Sequence, residues 1–425
     1  MIRIPVRSAP LGLVGALLLL TCGIAQAQNA SLALAPADGP FDLTPAFGVS
    51  AAISGRTAVV GAPGFVPLDT SGNPPPYVGI VNVYTTDVHH TAWTLTDVLH
   101  AEDAAQADFY FGSGLALQGK RLIVSGGTTI WIYEKRAQGY VLLDKISATA
   151  DPSGPLIYQD GVLAFRELTS NEPDRVLVFR VNDRGKARLV STLSAPIAAA
   201  NFGGLTGEIA FDSSDGTYAI GGQNGTLEDP GEVYFYSRHG DQWTYKETLP
   251  APSAAAAGFG SGVTLWHDKL VVGAPYEDAV NDVNADLTVN AGAVHVYRRE
   301  NDQWVETQKI STVDPTSPVA GLVTFGAAMV TNGRYVWITA PQPNDNHASF
   351  VRAGYSSLFR WDEGQLVIFQ PEAHFTSGGG LDMSRRYVIE GYGDQNFGES
   401  AIIEDLSLLQ GSDTSSAVDS ADESD

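Results

Sequence analysis

The sequence predicts an all-β fold, a seven-bladed β-propeller whose blades are four-stranded antiparallel sheets. Short segments alternate apolar and polar residues and are separated by turn residues, a pattern typical of antiparallel strands. The pattern recurs seven times along 425 residues, at intervals of roughly 40–65 residues. A sheet of four short strands has two apolar faces, so the repeated sheets must stack on one another to bury them.

The clearest repeat spans residues 259–310. Its four predicted strands lie at 262–266, 270–273, 293–297 and 304–310. Short polar turns join the first strand to the second and the third to the fourth, whereas a long acidic connection joins the second to the third. Such a meander places all of its second-to-third connections on one face of a propeller, because successive strands alternate in direction.

The other repeats follow the same order of strands. The second strand is predicted at 57–61, 121–125, 162–165, 218–221, 270–273, 335–338 and 387–389, and the third at 80–84, 130–133, 176–179, 233–236, 294–297, 357–361 and 401–404. The seventh repeat has no obvious fourth strand, whereas residues 30–36 have the apolar pattern of a fourth strand. We therefore expect the N-terminal strand to complete the last blade and to close the ring, which would remove an exposed sheet edge.

Two short motifs mark the repeats, the dipeptide Phe-Gly and the tripeptide Gly-Ala-Pro. Phe-Gly opens the first strand and Gly-Ala-Pro closes the second in two repeats, Phe47-Gly48 with Gly61-Ala62-Pro63 and Phe259-Gly260 with Gly273-Ala274-Pro275; Phe325-Gly326 with Thr339-Ala340-Pro341 departs by one residue. The pattern resembles the FG-GAP repeat of integrin α-subunit propellers and their bacterial relatives. That resemblance implies a propeller that meets its ligands with the loops of one face.

The two ends of the chain are expected to lie outside the propeller, which we place at 28–410. Residues 1–27 have the basic head, apolar core and small-residue cleavage site of a secretory signal, so we expect export to the periplasm, cell surface or exterior. An alternative is a lipid anchor at Cys22, the only cysteine. Residues 411–425 are acidic and nearly free of apolar side chains, which predicts a disordered tail.

The overall charge limits the kind of partner. The chain has 48 acidic and 25 basic residues and a formal net charge of −23, which argues against a nucleic-acid partner. No apolar segment is long enough to suggest a transmembrane span. We expect a monomer that binds a protein or a glycan.

Candidate binding residues lie in the long second-to-third connections. Loops presented by a rigid scaffold are where binding residues concentrate. We therefore predict contacts with a partner from the following side chains: Asp69, Asp229, Tyr276, Asp278 and Asp345. The alternative is that these loops are simply solvated insertions.

A calcium site is the most specific chemical prediction. Asp282, Asn284, Asp286 and Asn290 place oxygen side chains at relative positions one, three, five and nine, a spacing that suits Ca²⁺. It also resembles the calcium loops of integrin propellers. Two features depart from that pattern: Leu287 occupies the position of the usual Gly, and the loop follows the second strand instead of preceding it. The alternative is a solvated acidic loop.

Catalytic motifs give little support for an enzyme. The sequence has no G-x-S-x-G, no H-E-x-x-H and no P-loop pattern. Its histidines lack regularly spaced partners, and adjacent acids such as Glu277 and Asp278 should point in different directions. We therefore predict an exported, non-catalytic binding module. The alternatives are a polysaccharide-active hydrolase or lyase, whose carboxylates would converge across the propeller mouth, and an assembly scaffold without a ligand site.

Overall fold

The computed structural model describes residues 31–34, 46–64, 79–101, 110–149, 152, 156–167, 174–196, 202, 209–222, 229–280, 287–288, 290–312, 324–341, 354–370, 375–376, 378–394 and 398–407. The regular elements in these ranges are all β-strands. Within the same ranges we find no helix long and apolar enough to cross a membrane. The predicted signal segment 1–27 and acidic tail 411–425 lie outside the described residues.

The strands form seven blades. The first strand of the chain is β1 (Ser31–Leu34). Blade 1 contains β2 (Ser50–Ser54), β3 (Thr57–Ala62), β4 (Ile80–Thr86) and β5 (Trp93–His100). Blade 2 contains β6 (Gly114–Gln118), β7 (Arg121–Gly126), β8 (Thr129–Arg136) and β9 (Gly139–Ser147), and blade 3 contains β10 (Ile157–Gln159), β11 (Val162–Glu167), β12 (Arg175–Val181) and β13 (Ala187–Ser194).

Blade 4 contains β14 (Ile209–Asp212), β15 (Thr217–Gly222), β16 (Glu232–His239) and β17 (Gln242–Pro250). Blade 5 contains β18 (Val263–Trp266), β19 (Lys269–Ala274), β22 (Ala293–Glu300) and β23 (Gln303–Ser311), with a ribbon of β20 (Ala279–Val280) and β21 (Leu287–Thr288) between its second and third strands. Blade 6 contains β24 (Met329–Thr331), β25 (Tyr335–Ala340), β26 (Gly354–Asp362) and β27 (Gln365–Gln370), and β28 (Phe375–Thr376) also pairs with β26.

Blade 7 contains strands from both ends of the described chain. Its first three strands are β29 (Gly378–Met383), β30 (Tyr387–Asp394) and β31 (Gly398–Asp405). The fourth is β1, which pairs antiparallel with β31 so that Ser31 lies opposite Glu404 and Leu34 opposite Ala401. The predicted fold class, seven four-stranded antiparallel blades, is confirmed.

The core lies between the blades. Seven apolar clusters of buried side chains each join two consecutive blades, including one that joins blade 7 to blade 1. In that cluster Leu34 of β1 packs with Phe47 and Val60 of blade 1 and with Ile389 and Ile403 of blade 7. Each sheet therefore buries its apolar faces only against its neighbours, as a meander of four short strands requires.

The Phe-Gly pairs have a common geometry. The phenylalanines are fully buried: Phe47, Phe111, Phe202, Phe259 and Phe325. The following glycines that the structure describes have a φ of 90–93°, which side chains disfavour: Gly48, Gly112, Gly260 and Gly326. Each of these glycines donates its N–H to the carbonyl at the end of the second strand, as Gly48 does to Gly61 at 2.9 Å. The pair thus fixes the chain entering a blade to that blade's second strand.

Candidate functional site

The second-to-third connections open on one face of the propeller, and four of the predicted site residues are described there. These are Asp229 after β15 in blade 4, and Tyr276, Asp278 and Asn290 in the β19–β22 connection of blade 5. Asp229 and Asp278 are exposed, whereas Tyr276 and Asn290 are half-buried. The remaining predictions lie outside the described residues: Asp69, Asp282, Asn284, Asp286 and Asp345.

The chain that crosses from blade 4 to blade 5 brings these residues together. Gly258 in that crossing donates its N–H to the carbonyl of Asp229 at 3.0 Å, and the N–H of Tyr276 lies 3.3 Å from the carbonyl of Ala257. The Tyr276 ring packs on Gly258 so closely that a Cβ there would lie 2.7 Å from Cδ2 of the ring. Hence Asp229 and the start of the blade 5 connection share one patch of surface.

A short ribbon, which the sequence did not predict, rises from this patch. Ala279 pairs with Thr288, and Val280 with Leu287. Below it, Oδ1 of Asp278 accepts the backbone N–H of Asn290 at 2.9 Å. Asn290 has a φ of 54°, a left-handed conformation that asparagine tolerates better than most residues. The two predicted site residues Asp278 and Asn290 therefore face each other at the base of the ribbon.

A polar cluster fixes the ribbon base to blade 5, with two buried members and two exposed ones, Glu306 and Lys309. Glu277 and His295 are only 3% and 2% exposed. Oε2 of Glu277 lies 3.0 Å from Nε2 of His295, whose Nδ1 lies 2.9 Å from Oε1 of Glu306. The Nζ of Lys309 donates to Oε1 of Glu277, and the backbone carbonyl of Glu277 accepts the N–H of Gly292 at 3.0 Å. We call these four side chains, Glu277, His295, Glu306 and Lys309, the ribbon clamp.

The ribbon clamp favours the ionised form of Glu277. Burial alone would raise the pKa of Glu277, but the hydrogen bonds from His295 and Lys309 outweigh it and hold that pKa below its ordinary value. Both imidazole nitrogens of His295 face carboxylate oxygens, Nε2 that of Glu277 and Nδ1 that of Glu306. The Lys309 ammonium beside Glu277 helps to offset the cost of burying this carboxylate.

The adjacent acids Glu277 and Asp278 point in different directions, as predicted. The clamp itself was missed because its members are distant in sequence: Glu277 is separated from Lys309 by 32 residues. The one sequence signal was the register of the predicted third and fourth strands, which places His295 opposite Lys309. Among the described residues no group of three or more His, Cys, Asp or Glu side chains forms a metal site. The predicted calcium site has three of its four members outside those residues, so it stays a prediction.

This patch offers two exposed carboxylates beside a tyrosine ring. Carboxylates accept hydrogen bonds from hydroxyl, amide and cationic groups, and a half-buried tyrosine ring supplies an apolar face. Burial raises the pKa of Tyr276, so its hydroxyl stays protonated near neutral pH. The arrangement therefore suits recognition of a polar partner.

Comparisons with known proteins match the fold and no family. No protein-family model matches the chain, and no curated protein matches it. A solved structure from Lactobacillus plantarum aligns with a TM-score of 0.50 at 13% identity, over 80% of this chain and 89% of that one. A candidate 6-phosphogluconolactonase of Bacteroides uniformis aligns with a TM-score of 0.46 at 11% identity, over 75% of this chain and 82% of that one. A hypothetical selenium-binding protein of Sulfolobus tokodaii aligns with a TM-score of 0.45 at 12% identity, over 76% of this chain and 78% of that one. At such identities a likeness concerns the fold alone.

Proposed function

We propose that this protein is an exported, non-catalytic binding module that recognises a protein or glycan through one face of the propeller. The contact region is the surface formed by Asp229, Tyr276, Asp278 and Asn290, which we call the blade 4–5 surface. The observation that supports this most is the convergence of four separately predicted residues on one patch. Export rests on the secretory pattern of residues 1–27.

The ribbon clamp supports a binding role because it holds this surface in place. Glu277 is buried and bound to two other strands, whereas Asp278, its neighbour, is exposed. A loop fixed in advance loses less conformational entropy when it binds a partner. A solvated insertion without a ligand would have no need of the buried Glu277–His295 pair at its base.

We also propose membership of the FG-GAP, integrin α-like propellers, supported by the shared geometry of the Phe-Gly pairs. Within that proposal, Ca²⁺ bound by Asp282, Asn284, Asp286 and Asn290 would stiffen the ribbon. Asn290 is the member of this set that the structure describes, and its backbone is held by Asp278 and by Thr324, whose N–H donates to the Asn290 carbonyl at 2.8 Å. Ca²⁺ prefers such oxygen ligands.

The test compares two double variants of equal charge change. Asp229→Asn with Asp278→Asn removes both carboxylates of the blade 4–5 surface and keeps their hydrogen-bond acceptors. Asp215→Asn with Asp302→Asn removes two exposed carboxylates from the same blades on the opposite face, in the first-to-second and third-to-fourth turns. Both proteins are probed on a glycan array and in pull-downs from envelope fractions.

We expect the first variant to lose a partner that the wild type and the second variant retain, by about tenfold or more in affinity. Equal binding by all three proteins would contradict the assignment of the surface. Turnover of a polysaccharide, measured as release of reducing ends, would contradict the non-catalytic part of the proposal.

A further inference from the structure

Blade 7 has acids at two positions where the other six blades carry apolar or aromatic side chains. The first position is the fourth residue of the second strand: Val60, Val124, Phe165, Ile220, Val272, Ile338 and, in blade 7, Glu390. The second position is on the third strand: Tyr84, Tyr133, Phe179, Tyr236, Tyr297, Phe359 and, in blade 7, Glu404. The register of the strands makes these positions equivalent.

Both acids lie in the interface between blades 6 and 7, which we call the 6–7 seam. Val388 lies opposite Glu404 and Glu390 opposite Ile402, so the two acids share one face of the sheet. That face packs on blade 6, where Trp337 and Leu358 join Val388 in one buried cluster. Glu390 is 5% exposed and Glu404 is 3% exposed.

The partners of Glu390 across the seam are uncharged. The indole N–H of Trp337 donates to its Oε1, and the hydroxyl of Ser356 donates to its Oε2 at 3.4 Å. Among the described residues, Glu390 has no basic partner within ion-pair distance. A buried carboxylate without a cation is strongly disfavoured, whereas a neutral carboxylic acid fits such a site.

The other titratable or charged groups on the walls of the seam do not change this. Glu404 on β31 carries the same charge sign. Tyr335 on β25 is buried in the same cluster as Trp337. Arg360 on β26 has its guanidinium over the Phe369 ring, 5.4 Å from the ring centroid.

The proton on Glu390 is therefore retained near neutral pH. Burial raises the pKa of Glu390 to about 8, against the effect of the Trp337 hydrogen bond and with the repulsion of Glu404. The folded-state pKa lies above the ordinary value of 4.5, so the acid favours folding fully below about pH 4.5 and loses that effect as the pH rises through about 8.

We propose that the 6–7 seam is a proton-dependent lock of the propeller ring, closed while Glu390 is neutral and loosened when it ionises beside Glu404. The loosening would act on the strand that unites the ends of the described chain, because Glu404 lies opposite Ser31 of β1. Alkaline conditions would thus weaken the interface between blades 6 and 7, whereas the other six interfaces carry apolar or aromatic side chains at the equivalent positions.

The first experiment measures unfolding by urea from about pH 5 to about pH 8 for the wild type, Glu390→Gln and Glu300→Gln. The last variant makes the same chemical change at an exposed acid and serves as the matched control. Glu390 alone should lower the wild-type folding constant by about tenfold per pH unit in this range. We expect Glu300→Gln to follow the wild type, and Glu390→Gln to lack this component. A Glu390→Gln curve parallel to the wild type would overturn the proposal.

A second measurement needs no variant and decides the matter if Glu390→Gln does not fold. Hydrogen exchange of the wild type, corrected for intrinsic rates, is compared near neutral pH and above about pH 8. We expect protection to fall first in β25 and β30, on the two sides of the 6–7 seam, with β15 and β19 unchanged. Loss of protection that is uniform over the blades, or absent from the seam, would overturn the proposal.

Discussion

The carbonyl oxygen of Gly48 lies 1.9 Å from the point that a Cβ on Gly391 would occupy. Gly391 is the fifth residue of β30, the second strand of blade 7, and Gly48 belongs to the Phe-Gly pair of blade 1. The contact therefore joins two blades. The same contact recurs where Gly61 meets Gly112, where Gly221 meets Gly260 and where Gly273 meets Gly326. At these four junctions the glycine near the end of one blade's second strand therefore makes room for the Phe-Gly pair of the next blade.

Two of the three blades that lack this glycine follow the same rule. Blades 2 and 6 carry Ser125 and Thr339 at this position, and the repeats that follow them, blades 3 and 7, have no Phe-Gly pair before their first strand. Blade 3 is the exception, because Arg166 precedes a repeat that begins with Phe202-Gly203. Arg166 is buried and forms an ion pair with Asp174 at 2.6 Å.

Replacing Gly273 with Ala should destabilise the protein strongly, because its Cβ would lie 1.8 Å from the Gly326 carbonyl oxygen. We expect a loss of about 3 kcal/mol or more in the free energy of unfolding, measured with urea. The control is Gly240→Ala, at a φ of 63° with no atom within 4 Å of the added Cβ. It should lose only about 1–2 kcal/mol, the cost of the left-handed conformation. Equal losses in the two variants would contradict the close-contact account.

Glu277→Gln should cost roughly 3 kcal/mol near pH 7, because it removes the buried carboxylate that binds both His295 and Lys309. The adjacent exposed change, Asp278→Asn, should cost less than about 1 kcal/mol. The depressed pKa of Glu277 means that its contribution is present above about pH 4.5 and is lost as the pH falls through the folded-state pKa. The penalty of Glu277→Gln should therefore shrink near pH 3. A penalty independent of pH would show that Glu277 acts by packing alone.

Deleting residues 31–36 should remove β1 and expose the edge of β31, which favours aggregation. We expect the melting temperature to fall by roughly 10 °C or more, or soluble export to fail. Removing 413–425 instead should change it by no more than about 1 °C, because that acidic segment has too few apolar residues to form a core. A synthetic peptide of residues 28–36 should restore part of the loss by pairing with β31. An unchanged melting curve after deletion would refute the role of this strand.

Calcium in the millimolar range should raise the unfolding free energy by about 1–3 kcal/mol if the site has the affinity of extracellular modules. Asp282→Asn with Asp286→Asn should abolish this gain, and Mg²⁺ should give little of it. Calorimetry provides the direct measurement. Absence of both heat and thermal shift in the wild type would eliminate the site.

The fold was predictable because each strand carries its own periodic signal. Alternation marked strands such as β19 and β22, and the Phe-Gly pairs marked where blades begin. The ribbon was missed because β20 and β21 have two residues each, too few for a period to show. Its presence depends on contacts at its base, including that of Asp278 with Asn290.

The site was predictable only in part. Exposed loop acids such as Asp229 and Asp278 could be selected from the sequence because they lie in long connections. The ribbon clamp and the two acids of the 6–7 seam could not, because each depends on which residues of distant strands face each other. Glu390 stands out in the sequence as an acid inside a strand. Its significance appears only when the strand registers align it with Val60 and the other apolar residues at the equivalent position of each blade.

The contact between a terminal glycine and the following Phe-Gly pair also limits how such repeats can be recombined. If blade 5 were placed after blade 1 or blade 4, its Gly260 would pack on Gly61 or Gly221. After blade 2, its Gly260 would instead meet the side chain of Ser125. Chimeras with a junction in the turn between the first and second strands would keep the glycine and the following Phe-Gly pair from the same parent. Chimeras with a junction between two sheets would take them from different parents. Which blades can follow one another in this architecture thus depends on whether the preceding blade has glycine at this one position.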